Sequence, residues 1–407
     1  MTSSTIKRRL LVHVGGYDPM SPAAAHARFA REARRFESTW GVRAAVSALG
    51  LGPDTAAWTV EATGPDWTIR TEILLLRWDD VMEAAARRPA WQRLPLGLVA
   101  FGDFVVGGAL WRYGRHAWRY ALFFLYPFLL LAMLAGAAAG FGLAVARATG
   151  WTIVGAGTGL LVLAALAAWA GHRLSLSHLL DDWIFARDYV RRDDALLGPR
   201  LDRVADEIVS AWRTGGADEI VVLGHSLGAV LAVDLLDRTL AREPALGEGT
   251  TAVALVTVGS SIPKIGLHGG AQRFRAALGR VADAPGLFWV EYQALTDAMN
   301  FYKTNPVQLL LGRPTGGPLV RIVRISRMLH RPYYKKIKRD FFRIHNQFVS
   351  ANDLRAVYDY FMVVCSPISV TEQARSPLGA EAGIARDGSL ASSRAPSRTI
   401  DATRDRP

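Results

Sequence analysis

Ser226 stands in the stretch Val221-Val222-Leu223-Gly224-His225-Ser226-Leu227-Gly228-Ala229-Val230-Leu231-Ala232, where a β-forming apolar run meets a turn of small residues and a helix-forming apolar run follows. The turn reads Gly224-x-Ser226-x-Gly228, the pattern of a serine nucleophile on a strand-to-helix elbow. A serine on a strained turn stands clear of the sheet with its hydroxyl exposed. The flanking glycines let neighbouring backbone approach a residue held in an unfavourable conformation. The N–H of Leu227 then sits at a helix N-terminus and can point at a developing oxyanion. The competing reading is a tight strand–helix turn in a fold without turnover. No His, Cys and acidic side chains recur at metal-ligand spacing, so neither a metal nor a cofactor is expected.

The elements that must position this serine follow from the patterning. Leu10 to Val14 reads as a short buried strand running into Gly15-Gly16-Tyr17-Asp18-Pro19. A helix is predicted over about Ala23–Phe36, and shorter strands around Arg43–Ala48 and Ala57–Glu61. Thr68–Trp78 is a strong strand. Asp181–Trp212 reads as one or two amphipathic helices broken at Gly198-Pro199. The strand Glu219–Leu223 leads into the elbow, and a helix over Ala229–Leu240 leaves it. A strand over Ala252–Val258, a helix over Gln272–Val281, a strand over Leu287–Ala294 and one over Leu319–Ile325 follow. A helix is predicted over about Asp353–Val363. From Pro367 to the end the composition is Ser-, Ala-, Arg- and Pro-rich and reads as a disordered tail.

The middle of the chain differs in character. Ala121–Ala146 and Ala148–Gly171 carry no charged residue, and Arg147 alone separates them. A helix needs roughly 20 apolar residues to cross a bilayer, so two transmembrane helices joined by a tight turn near Arg147-Ala148-Thr149-Gly150 are expected. The competing reading is a pair of buried helices in a soluble core. Gly136, Gly140, Gly142, Gly155, Gly157 and Gly159 would permit close contact between the spans. Trp91–Tyr120, with Trp111, Trp118, Arg112, Arg115 and Arg119, resembles an interfacial helix or a re-entrant approach, the competing reading being an ordinary surface helix. The expected organisation is therefore 1–90 and 176–366 as two parts of one α/β domain, 91–175 as a membrane-associated insertion, and 367–407 as the tail.

Forty-eight Lys and Arg against 36 Asp and Glu leave a formal charge of +12. That excess suggests an anionic neighbour, and with no nucleic-acid motif present the expected partner is membrane lipid rather than nucleic acid. Basic residues flank the two spans on their outer sides, Arg112, Arg115 and Arg119 before and Arg173, Arg187, Arg191 and Arg192 after. Both flanks are thus expected in the cytoplasm, and the composition suggests a bacterial inner membrane. Arg331–Arg343 is basic and aromatic and suits a face against anionic headgroups. The single cysteine, Cys365, lies in an apolar run and reads as a core residue. Lys7-Arg8-Arg9 precede too short an apolar run for a signal peptide.

With the elbow between a strand and a helix, the chain resembles the α/β-hydrolase superfamily, specifically its lipase- and esterase-like members carrying Gly224-His225-Ser226-Leu227-Gly228. The resemblance covers roughly 10–80 and 195–365 and implies an α/β fold, mostly parallel with helices on both faces, interrupted by the transmembrane hairpin. It implies a triad in the chain order Ser226, Asp297, His345, with Asp283 and His330 as reserve acid and base, and backbone donors from Leu227 and one of Gly16 or Tyr17. His13 and His225 flank the site and read as structural. The activity implied is hydrolysis of a carboxylic ester or thioester, possibly of a lipid, through an acyl-enzyme. The alternatives are a hydrolase-like membrane scaffold without turnover and, weakly, a channel or transporter subunit. The chain departs from the family pattern in its first strands and in the long stretch between Asp297 and His345.

Overall fold

Strand and helix periods alternate along the chain, and the computed structural model, which describes residues 5–192, 197–314 and 317–391, folds them into one mixed sheet covered by helices. The N-terminal part holds β1 (Arg8–Val14), α1 (Pro22–Trp40), β2 (Arg43–Val46), β3 (Gly50–Leu51), β4 (Thr55–Thr63), β5 (Thr68–Leu76) and α2 (Asp79–Ala86). The insertion holds α3 (Ala90–Val106), α4 (Ala109–His116), α5 (Trp118–Thr149) and α6 (Thr152–Arg173). The chain returns through α7 (Leu176–Arg191), α8 (Gly198–Arg213), β6 (Glu219–His225), α9 (Gly228–Arg242), β7 (Ala252–Val258), α10 (Ile262–Gly266), α11 (Gln272–Asp283) and β8 (Leu287–Ala294). It ends with α12 (Pro306–Leu311), β9 (Leu319–Val323), α13 (Ile325–Met328), α14 (Arg331–Ile337), α15 (Phe341–Asn346), α16 (Tyr360–Cys365) and α17 (Val370–Arg375).

The sheet has nine strands in the order β2-β4-β5-β1-β6-β7-β8-β9, with β3 pairing β4. From β5 to β9 every pair is parallel, and β2, β3 and β4 add an antiparallel edge. Alternate side chains of the central strands enter opposite layers. Leu10, Val12 and Val14 of β1, with Ile220 and Val222 of β6, join the core under α7, α8 and α9. Leu11, Val221 and Leu223 join the core under α1 and α16. Strands β2 to β5 lie to one side of β1, and β6 to β9 lie to the other. The strand order therefore reverses between β1 and β6, and a crevice opens beyond the carboxyl ends of these two strands.

Helices α5 and α6 are long and apolar enough to cross a membrane. At 1.5 Å per residue the 32 residues of α5 extend about 48 Å, more than the roughly 30 Å of a bilayer core. The excess docks on the α/β domain, where Tyr120, Phe124 and Phe128 are buried. Of the six glycines expected at the contact, three are there. A Cβ on Gly142 would lie 2.6 Å from the Gly155 carbonyl oxygen, and one on Gly159 would lie 3.1 Å from that of Ala138. Gly136, Gly140 and Gly157 face open space, because they lie on the other sides of their helices. The stretch before the first long apolar helix forms two helices, α3 and α4, bent by 66°, a shape in keeping with the re-entrant alternative. Gly97 and Phe104 of α3 pack on Leu180 and Trp183 of α7, while Trp91, Leu94, Leu98 and Val105 are exposed.

Two expectations at the C-terminal end are corrected. The helix expected over Asp353–Val363 forms only as α16, because Asp353 and Asp359 are occupied elsewhere. The Asp353 carboxylate pairs with Arg35 and accepts the His330 N–H, and that of Asp359 accepts the Trp40 indole N–H and caps α16 at Phe361. The segment from Pro367 is not a disordered tail as far as it is described: α17 buries Val370 and Ala374, and an isolated bridge joins Ile384 to Leu390. Its anchor is the buried pair Arg9–Glu219 at 2.6 Å. The Arg9 guanidinium also donates to the carbonyls of Val364, Ser366 and Ile368, and Glu219 accepts the N–H of Val370. The last part of the expected tail, 392–407, lies outside the described residues.

Candidate active site

The elbow is built by close backbone contacts. Strand β6 is buried along its whole length and leads directly into Ser226, whose φ of +56° lies in the left-handed region that non-glycine residues avoid. The turn holds this conformation by donating the Ser226 N–H to Val258 and accepting at its carbonyl the N–H of Ser261, both at 3.1 Å. The flanking glycines are required by space. A Cβ on Gly224 would lie 2.5 Å from the Ala229 Cα, and one on Gly228 would lie 2.1 Å from the Val14 carbonyl oxygen. Helix α9 can thus press against both β6 and the end of β1. Leu227 immediately precedes α9, where the first N–H groups have no helical acceptor.

The loop after β1 lies against the same serine. A Cβ on Gly16 would be 2.8 Å from the Ser226 Cβ and 3.4 Å from its Oγ. Tyr17 follows, its ring against Trp78, His178 and Phe185, and burial raises its hydroxyl well above the usual range. Gly16 and Leu227 therefore lie beside Ser226, and Tyr17 lines the cavity that holds it.

Asp297 and His345, 48 positions apart, are brought together by β8 and α15. The His345 Nδ1 lies 2.8 Å from the Asp297 Oδ2, with both residues buried. A carboxylate only accepts, so the proton between them belongs to Nδ1, and in the neutral imidazole the lone pair is then on Nε2. That Nε2 has no hydrogen-bond partner among the described residues. The Asp297 turn is fixed by the Met299 N–H on Oδ1 and by Asn300, whose side-chain amide donates to the carbonyls of Ala294 and Asp297. Gly259, at the end of β7 with φ of +53°, makes room for the pair. A Cβ there would stand 3.0 Å from His345 Cε1 and 3.2 Å from Asp297 Oδ2. Its position past a strand was visible in the sequence, but the steric reason was not.

The reserve residues lie apart. Asp283 is exposed and paired with Arg313 at 2.5 Å, and His330 is exposed and outside the cavity wall. His225 packs its ring 4.5 Å from that of His345 and reaches the His345 carbonyl at 3.3 Å. Burial, then the neighbouring His345, His13 and Arg28, push His225 well below the usual histidine range. His13, with Tyr360 Oη 3.0 Å from its Nδ1, is pushed down to about 3 by burial and by Arg28. Both are held neutral at physiological pH, and His225 packs on His345 without adding charge beside it.

Ser226 and His345 share a cavity of about 390 Å³ beyond the carboxyl ends of β1 and β6. Gly16, Tyr17 and His225 line it, with Tyr120 and Phe123 of α5, His178 of α7 and Phe342 of α15. One wall carries a cation that sequence reasoning missed, Lys264. It is buried, with its ammonium 2.5 Å from the Asp182 carboxylate and 4.2 Å from the centre of the Trp183 ring. Burial lowers its pKa against the opposing pull of Asp182. No sequence signal joins Lys264 to Asp182, because they meet only through the packing of α10 on α7. Among the described residues no cluster of three or more His, Cys, Asp and Glu side chains is arranged to hold a metal ion. The chain matches no family model, no curated protein and no solved structure.

Proposed function

We propose that the chain is a membrane-anchored serine hydrolase that cleaves a carboxylic ester or thioester, with an α/β-hydrolase fold into which the helices between β5 and β6 are inserted. The observation that carries the reading is the buried Asp297–His345 hydrogen bond, with Nε2 left unpartnered in the cavity that also holds Ser226 on its strained elbow. In this mechanism the His345 Nε2 takes the hydroxyl proton as the Ser226 Oγ bonds to the substrate carbonyl carbon. Asp297 holds the Nδ1–H tautomer and stabilises the imidazolium. The N–H of Leu227 and that of Gly16 or Tyr17 donate to the oxyanion. Collapse of the tetrahedral intermediate expels the alcohol or thiol, which receives the proton from His345. Water, deprotonated by the same Nε2, then releases the acid and regenerates the serine.

The apolar lining from α5 and α15 supports an acyl lipid as substrate and a site at the membrane surface. Both strand-bearing parts of the sheet must share one compartment to pair, and the basic outer flanks favour the cytoplasm. Cysteine accessibility in intact cells tests that orientation: Thr149→Cys should react with an impermeant maleimide, and Lys7→Cys should not. The native Cys365 is buried and contributes little background. For the activity itself, purified full chain is assayed on p-nitrophenyl and lipid esters. Turnover lost in Ser226→Ala, with thermal unfolding unchanged, is the expected result, and full activity in that variant would refute the reading.

A further inference from the structure

We propose, building on the hydrolase reading above, that a long-chain acyl substrate reaches Ser226 laterally from the bilayer, through the seam between the base of α5 and α15. One helix serves two environments here. Tyr120 and Phe123 of α5 line the cavity, while Trp118 and Leu122, on its other side, are 62% and 53% exposed. The same helix continues into the first membrane span. Across the seam, α15 repeats the arrangement: Phe342 lines the cavity, and its neighbour Phe341 is 47% exposed. An apolar surface at the level of the lipid thus continues inward to the wall beside His345.

Ring contacts join the two sides of the seam. Phe341 meets Phe123 and Tyr126 edge-on, each with centroids 6.3 Å apart, and Phe342 meets His178 at 5.3 Å. No side-chain hydrogen bond or ion pair joins α5 to α15 among the described residues. Opening it exchanges aromatic contacts for contacts with an acyl chain and strands no buried polar group, so it avoids the desolvation cost of breaking a buried polar contact. Elsewhere in the lining, Asp18, Arg28 and Glu32 come from α1 and the loop before it, and the charges of Lys264 and Asp182 are paired with each other in the wall. The aromatic end therefore suits the acyl chain. Exposed Lys335, Lys336 and Arg343 beside the seam would meet anionic headgroups.

The test uses the full chain in vesicles of phosphatidylcholine and phosphatidylglycerol. With Ser226→Ala to prevent turnover, a phospholipid carrying a diazirine on its acyl chain should cross-link to residues 118–126 and 341–343. Cross-links confined to the distal parts of α5 and α6 would overturn the proposal. In the otherwise wild-type chain, Leu122→Asp and Phe341→Asp should lower hydrolysis of a vesicle-borne long-chain ester, relative to a soluble short-chain ester, roughly ten-fold or more. An unchanged ratio overturns it too. Seam cross-links without hydrolysis of either ester by the wild-type chain would contradict the hydrolase reading while supporting the lipid path.

Discussion

A Cβ on Gly16 would lie 2.8 Å from the Cβ of Ser226, so the loop after β1 touches the elbow with no side chain between them. Contact this close leaves no room for a methyl group on Gly16, which the proposed mechanism offers with Tyr17 as a source of an oxyanion donor. Gly16→Ala is therefore expected to move the loop and misplace an oxyanion donor, lowering kcat by on the order of 10²-fold. Ester kinetics and thermal unfolding, measured together, separate this effect from a loss of fold.

That contact also marks how far the sequence could be read. The elbow was legible because its signal is local: an apolar strand, Gly224-x-Ser226-x-Gly228 and an apolar helix follow one another directly. The two long apolar helices were legible from the uncharged runs on either side of Arg147. What was hidden depends on distant partners. The guanidinium of Arg9 ties down the segment around Cys365 through three backbone carbonyls, and carbonyls leave no trace in residue type. The 353–363 stretch looked helical by composition, yet its two aspartates are bound to α1 and to His330. The wall formed by Lys264 and Asp182 was invisible for the same reason. Asp297 and His345 were placed by the resemblance, and their 2.8 Å contact was not deducible from spacing.

Removing the base or its orienting partner should separate the two roles. His345→Ala is expected to cost as much as Ser226→Ala, because triad members act as a unit. Asp297→Asn should preserve the fold but favour the wrong tautomer, at a cost on the order of 10⁴-fold in kcat. Steady-state kinetics of each variant and of the double variant check this: the double variant should be no worse than His345→Ala alone.

Glu291 gives a pH signature independent of catalysis. It is buried on β8, the Thr257 hydroxyl donates to it, and burial pushes its carboxyl up from an ordinary value of 4.5 to about 8. The folded state thus binds a proton that the unfolded state releases, and this contribution to stability is complete below pH 4.5 and lost as pH rises through 8. Glu291→Gln stays neutral and has no such loss. Its thermal midpoint, measured relative to wild type, should rise steadily across that window; a difference independent of pH would contradict the assignment.

The hairpin contact makes a positional prediction. Gly155→Val would drive a side chain into Gly142 and Ala146, where even a Cβ would meet atoms at 2.5 Å. Overpacking of this kind typically costs about 1–3 kcal/mol. Gly140→Val faces open space and should change stability by about 0.5 kcal/mol or less. Thermal unfolding of both variants in the same detergent provides the comparison.

The central claim is that Ser226 is an activated nucleophile, and covalent labelling reads this without knowledge of the substrate. Full-length chain in detergent or vesicles is treated with a fluorophosphonate, digested, and the modified peptide located by mass spectrometry. The account predicts a single phosphonylated serine at Ser226, no adduct in Ser226→Ala and strongly slowed labelling in His345→Ala. An unmodified Ser226 in folded wild-type protein, or an adduct that survives Ser226→Ala, would contradict it.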